Sequence, residues 1–233
     1  MRAHWRVGWL LIYLLPISGW NFARAATEVQ YSPRLNVSSR QQLEQRLHAP
    51  FAEGIAHPAG VSNCVQLLDQ RGRAPRAKRS DRQVQAERST TAECLVLQEL
   101  WSAQPARSSH LHDLLWDARV LTLLPPQLAI SVSAESERAA SAAAGRGQTW
   151  RDFDASVTAA AGAKGPDEIV VNGRGFLERL ILWGRGDFNG DGLEDLLVQS
   201  LDTLTEGTYR STRLFVLTRR TADGPLSLVR SLL

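Results

Sequence analysis

The sequence predicts an α+β fold, N-terminal short helices followed by a C-terminal antiparallel β-meander, on three observations. Capped segments with apolar residues at helical spacing fill the first half of the chain. From Glu168 onward, short apolar runs alternate with turn residues at hairpin distances. After residue 25 there is no further hydrophobic stretch of the roughly 20 residues that a membrane-crossing helix needs.

The N-terminus reads as a cleaved signal peptide covering residues 1–25. Arg2 and Arg6 precede an uncharged apolar run from Val7 to Trp20, and Ala23-Arg24-Ala25 offers the small residues a signal peptidase accepts. Removing Arg2, Arg6 and Arg24 takes three of the 27 basic side chains and none of the 24 acidic ones, so the secreted chain would be formally neutral. The apparent basicity therefore argues for no nucleic-acid partner. A local excess remains in Arg71-Gly-Arg-Ala-Pro-Arg-Ala-Lys-Arg-Ser-Asp-Arg82, which lacks an aromatic side chain for base stacking and reads as a solvated loop.

Cys64 and Cys94 are the only cysteines. In a chain bound for an oxidising compartment, their even number favours a disulfide over two buried thiols. Around them, Ser39-Arg-Gln-Gln42 forms a capping box ahead of Leu43 and Leu47, and Pro50 ends that segment. Ser62 caps a helix carrying Val61, Cys64, Val65 and Leu68. Thr90-Thr-Ala-Glu93 opens another through Cys94, Leu97 and Trp101.

A fourth helix is expected over 109–121, a strand over Leu128-Ala-Ile-Ser-Val132, and an alanine-rich helix that Ser133 caps and Gly145 ends. Beyond it, Glu168-Ile-Val-Val171 and Phe176-Leu-Glu-Arg-Leu-Ile-Leu-Trp183 face each other across Asn172-Gly173, a hairpin dipeptide. Leu196-Leu-Val198, Arg213-Leu-Phe-Val-Leu217 and Leu226-Ser-Leu-Val229 continue the meander.

Between two of these strands lies Gly184-Arg-Gly-Asp-Phe-Asn-Gly-Asp-Gly-Leu-Glu-Asp-Leu-Leu-Val198. Counted from Asp187, the oxygen-bearing side chains Asp187, Asn189, Asp191 and Asp195 fall at positions 1, 3, 5 and 9, with Gly192 at the sharp turn of position 6. Position 7, Leu193, would add a backbone carbonyl. A hard cation takes six to eight oxygens, so Ca²⁺ would make this crowding of carboxylates useful. Asn, Asp and Gly are also ordinary turn residues, so a metal-free acidic turn is the competing reading. Val198 stands where a helix-loop-helix calcium site needs a bidentate glutamate.

The run Gly186–Leu197 resembles the calcium loop of FG-GAP and VCBS-type repeats, β-hairpin loops of integrin alpha-chain propellers and many secreted bacterial proteins. The resemblance implies Ca²⁺ on Asp187, Asn189, Asp191 and Asp195 with the Leu193 carbonyl, and Glu194 turned to solvent. It covers about a dozen residues. No second copy of the loop occurs, so a propeller is not expected. Arg185-Gly186-Asp187 is also a cell-attachment tripeptide, but its aspartate would be the first metal ligand.

Catalytic residues are not identifiable. His110 and His112, two apart, would share a metal only on a strand, and Asp152 and Asp154 read as a polar connection. Asn36-Val-Ser38 fits a glycosylation acceptor, relevant only in a eukaryotic host. Three regions result: the signal peptide 1–25; a mainly helical region 26–125 with the Cys64–Cys94 bridge and the basic loop; and an α+β region 126–233 with the sheet and the acidic loop. The expected function is a secreted, periplasmic or extracellular, bacterial structural or binding module that is not an enzyme. It would carry one Ca²⁺ and meet a protein or glycan partner, with no integral span after signal cleavage. The alternative is a secreted hydrolase with a structural Ca²⁺ and catalytic carboxylates distant in sequence.

Overall fold

The computed structural model describes residues 26–71 and 80–233, so the signal-peptide expectation and most of the basic loop lie outside the described residues. The fold is α+β. Strands β2 (Thr158–Ala161), β3 (Glu168–Gly173), β4 (Phe176–Gly186), β5 (Asp195–Leu204), β6 (Arg210–Arg219) and β7 (Leu226–Ser231) form one antiparallel sheet in sequence order. A short strand, β1 (Gln30–Tyr31), pairs with Gly184 and Arg185 of β4, beyond the point where β3 leaves it. The sheet is open, not a propeller.

Both faces of this sheet are buried, which is why β5 and β6 read as continuous apolar runs. On one face, Leu197, Leu214 and Val216 pack under α1 (Arg40–His48), α2 (Cys64–Asp69) and α3 (Asp81–Ser102), through Leu43, Leu47, Leu67, Leu97 and Leu100. On the other, Leu180, Leu182, Leu196, Val198, Phe215 and Leu217 meet Leu111, Leu121, Leu124, Leu128 and Trp150. A register shift at Leu182/Gly184 turns β4 so that Gly184 lies against Leu100, where a Cβ would come within 2.5 Å.

The disulfide joins Cys64 and Cys94, tying α2 to α3 across a separation of 30 residues. In the chain-entropy model such a closure stabilises the fold by roughly 3–4 kcal/mol. No helix of the described residues is long and apolar enough to cross a membrane.

Several local expectations are corrected. Helix α3 begins at Asp81, with Ser80 and Gln83 forming its capping box. Thr90 sits inside this helix, its hydroxyl donating to the carbonyls of Ala86 and Ala56, so the Thr90–Glu93 box is no helix start. Asn63, not Ser62, caps α2. The alanine-rich helix α4 (Ala134–Gly145) is capped by Ser133, but the left-handed residue after it is Gly147, with φ 74°. The β3–β4 turn is Arg174-Gly175, with Gly175 at φ 82°, while Asn172 and Gly173 pair with Leu177 and Phe176. Gly173 is needed because the Phe176 ring would lie 2.0 Å from a Cβ there.

The larger corrections concern the layer over the second face. Residues 109–121 form turns and a 3₁₀ segment, Ala118–Thr122, not a helix; Leu128–Val132 is not a strand but follows a 3₁₀ turn, Pro126–Leu128. Leu111, Leu114, Leu121, Leu124 and Leu128 are buried while Leu115 is exposed, and the carbonyls find side-chain donors instead of a helix or ladder. Arg185 donates to Leu111 and Leu114 O at 3.0 and 3.1 Å. Arg213 donates to the carbonyls of Gln127, Leu128 and Ala129. The tetrapeptide helix α5 (Trp150–Phe153) completes the layer, with Trp150 fully buried.

The N-terminal segment is fastened by charge. Arg34 reaches Asp167 and Glu168 at 2.6 Å each, Arg179 meets Glu168 at 2.8 Å, and Ser32 donates to Asp167. The Arg179 hydrogen bonds, seconded by Arg34, hold the Glu168 carboxyl down to about 2 despite its burial. A lowered folded-state value means the contribution is complete above the ordinary value of 4.5 and drains as pH falls towards 2. Acid unfolding followed by circular dichroism should therefore begin at higher pH in Arg179→Gln than in wild type. Superimposable acid transitions would remove this role for the clamp.

Candidate functional site

The acidic loop joins β4 to β5, and its position follows from the strands on either side. Segment 104–109, leaving α3, runs along it. Gln104 and Asp187 exchange both backbone hydrogen bonds; the amides of Arg107 and Ser108 donate to Gly192 O, and Glu194 N donates to Ser108 O. Among the described residues, no backbone donor of this bridge reaches the Leu193 carbonyl. Gly192, at φ 86°, makes the turn, and the Arg107 side chain lies where a Cβ would come within 3.2 Å.

Inside that frame the loop's acids turn onto its own amides. Asp187 is buried; its Oδ1 accepts from Gly190 N at 2.7 Å and Asn189 N at 3.3 Å, and its Oδ2 from Gly192 N at 2.8 Å. Asn189 Oδ1 accepts from Asp191 N, Asp191 Oδ1 from Leu193 N, and the Asn189 amide donates to Asp191 Oδ2 at 3.0 Å. Each of these side chains is engaged with the backbone ahead of it, with Asn189 and Asp191 exposed, as in an ordinary acidic turn.

Asp195 differs. It has no solvent exposure; its Oδ2 accepts from Phe188 N at 3.1 Å, while its buried Oδ1 makes no well-formed hydrogen bond and has only the Thr218 hydroxyl, opposite it on β6, close by. Burial pushes this carboxyl up to about 6, with the nearby Thr218 hydroxyl and the Phe188 amide acting the other way. Glu194 corrects the expectation of solvent exposure. It is 3 % exposed and accepts from Ser109 at 2.5 Å, because the backbone bridge to Ser108 carries it under segment 104–109.

Hard oxygen donors are therefore gathered at one turn, where two buried carboxylate oxygens, Glu194 Oε1 and Asp195 Oδ1, make no well-formed hydrogen bond. Among the described residues, however, no group of three or more Asp, Glu, His or Cys side chains is placed to hold a metal ion as they stand. A cation here would require Asn189 and Asp191 to give up their contact with each other. Asp187, the aspartate of the Arg-Gly-Asp tripeptide, is 6 % exposed and engaged with three amides, so it is not presented to a receptor.

The other sequence candidates do not assemble. His112 pairs with Asp113 at the surface, and His110 offers its carbonyl to Arg219. Asp152 caps its own α5 through Thr149, and Asp154 accepts from Ser156. Unexpected from sequence is a polar set on the second face: the buried Glu178, Ser200 and Asp202 with the half-buried Arg213. Its signal was present, since charged residues interrupt apolar β4, β5 and β6 at positions sharing one face.

Asp187→Asn should destabilise the fold by roughly 1–3 kcal/mol in urea unfolding even with chelator present, because an uncharged amide is a poorer acceptor for three loop amides. A change within about 0.3 kcal/mol would show that the loop does not depend on this carboxylate. No protein-family model matches the chain, and neither a curated protein nor a solved structure matches it.

Proposed function

We propose that this protein is a secreted, non-catalytic structural or binding module in which one Ca²⁺ stabilises the β4–β5 hairpin loop, as in the FG-GAP and VCBS-type loops it resembles. The observation that carries the reading is the buried Asp195 carboxylate, whose Oδ1 has only the Thr218 hydroxyl across β6 to turn to, beside oxygen donors at alternate positions 187, 189 and 191. The Leu193 carbonyl, which accepts no backbone hydrogen bond among the described residues, adds to the set. Asp187, Asn189, Asp191, Asp195 and the Leu193 carbonyl would hold the ion, which would relieve repulsion among three carboxylates and the burial cost of Asp195. Because the loop is already closed by its own amides, the ion is an added staple, with weak affinity of the order of 10⁻⁴–10⁻³ M typical of extracellular modules.

The disulfide and the lack of a membrane-crossing helix among the described residues support a secreted, periplasmic or extracellular setting. The partner would be a protein or a glycan, since a near-neutral secreted chain gives nucleic acid no general attraction. The buried pair Glu178 and Asp202 does not serve the hydrolase alternative, because neither acid has more than 1 % exposure and a glycosidic bond could not reach them.

Thermal melts of the secreted chain with millimolar Ca²⁺ and with chelator test the proposal. An ion at about ten times its dissociation constant stabilises by about 1.4 kcal/mol, which should raise Tm by about 3–6 °C in wild type and leave Asp191→Ala unmoved. Identical wild-type melts in the two conditions would sink the calcium reading and leave a metal-free turn.

A further inference from the structure

The set of polar side chains on the second face lies at the opposite end of β5 from the acidic loop. Glu178 and Asp202 stand directly opposite each other in the β4–β5 register, and Ser200 opposes Arg213 in the β5–β6 register. Both acids are closed to solvent. The Ser200 hydroxyl is hydrogen bonded to Glu178 Oε1 at 2.6 Å and also to Asp202 Oδ1. Arg213 grips Asp202 with two nitrogens, Nε to Oδ2 at 2.8 Å and Nη2 to Oδ1 at 3.3 Å, and its Nη2 is 3.3 Å from Glu178 Oε1. The same guanidinium holds the Gln127, Leu128 and Ala129 carbonyls.

Counting protons decides the charge state. A serine hydroxyl has one proton to donate, yet Ser200 lies between two carboxyl oxygens. With both acids ionised, one of those contacts would join two lone pairs, and two negative charges would face a single guanidinium in a closed site. A proton on Glu178 resolves both difficulties: Glu178 donates to Ser200, Ser200 donates to Asp202, and Asp202 stays paired with Arg213.

We infer that Glu178 and Asp202 keep one proton between them, and that its loss to solvent in alkaline solution releases the 126–131 segment that Arg213 holds against the sheet. With the proton gone, the second negative charge competes with the carbonyls of Gln127, Leu128 and Ala129 for the guanidinium. Those carbonyls then lose a donor where water is scarce.

Among the described residues, the elements packed against Glu178 supply no cation besides Arg213. Val171 opposes Glu178 on β3, the Ile130 amide faces the carboxyl, and α4 brings only Glu137 to the cavity of about 330 Å³ that Arg213 helps line. Burial first, then the Asp202 charge, pushes the Glu178 carboxyl up to about 8, against the pull of Arg213. The folded state therefore holds a proton that the unfolded chain lacks. Stability is complete below the ordinary value of 4.5 and is lost as pH rises to about 8.

The test compares wild type and Glu178→Gln by urea unfolding between about pH 6 and pH 8, with amide hydrogen exchange of residues 126–131 at about pH 6 and pH 9, corrected for intrinsic rates. In wild type the unfolding equilibrium constant should rise more than tenfold over that interval, and the Leu128 and Ala129 amides should lose protection at the higher pH. Glu178→Gln, which keeps the shape of the protonated acid, should reduce the rise to a few-fold and keep both amides protected. Equal rises in the two proteins, or unchanged protection in wild type, would overturn the inference. If the variant does not fold, carboxyl-carbon NMR of wild type decides: a carboxyl titrating above about pH 7 supports the shared proton, and none doing so refutes it.

Discussion

Burying irregular chain against a sheet is the constraint on which this structure depends, because every buried carbonyl needs a donor and a 3₁₀ turn supplies few. Here the sheet itself supplies them. Arg185 on β4 and Arg213 on β6 send their guanidinium groups into the covering layer, closing five carbonyls between residues 111 and 129. Arg219 does the same for His110 and Gly224. The planar, many-donor guanidinium suits this task, since one side chain can bond several oxygens that share no regular spacing. Leu111, Leu121, Leu124 and Leu128 can then fill the second core without a long helix to carry them.

Each arginine committed in this way needs its charge balanced, and the buried acids divide that work. Asp202 and the protonated Glu178 answer Arg213, while Glu194 lies near Arg185. Glu168 and Asp167 answer Arg34 and Arg179 at the sheet's other end. Asp187 and Asp195 are the exceptions, because their neighbours are amides and other acids, with Arg107 close by at Gly192. That asymmetry is the physical ground for proposing a cation at the acidic loop rather than at the other carboxylates described.

What was legible in the sequence was what neighbouring residues decide. Ser39, Ser133 and the apolar runs of β5, β6 and β7 act within one turn or one strand, and the disulfide follows from compartment and parity. The loop frame was visible in Asp187, Asn189, Asp191 and Gly192 because a tight turn is local. The 109–121 and 128–132 segments were misread because their donors, Arg185 and Arg213, lie more than 70 residues away in sequence. Leucine spacing reported most of the buried residues, Leu115 excepted, but not how the backbone between them is satisfied. Glu194 was misplaced for the same reason, since Ser108 and Ser109 draw it inward. Asn172-Gly173 had the right chemistry for a turn, but the pairing of Ile169 and Val171 with Leu180 and Glu178 moved the turn to Arg174-Gly175.

The most direct test of this account is the unfolding free energy of Arg185→Met beside Arg174→Met, an exposed control in the β3–β4 turn. Arg185→Met keeps an unbranched, apolar stem and removes the donors together with the charge that Glu194 balances. It should lose roughly 2–4 kcal/mol in urea unfolding, because two carbonyls are orphaned, while the control stays within about 0.5 kcal/mol. Equal stability of the two variants would contradict the claim that arginines of the sheet hold the irregular layer in place.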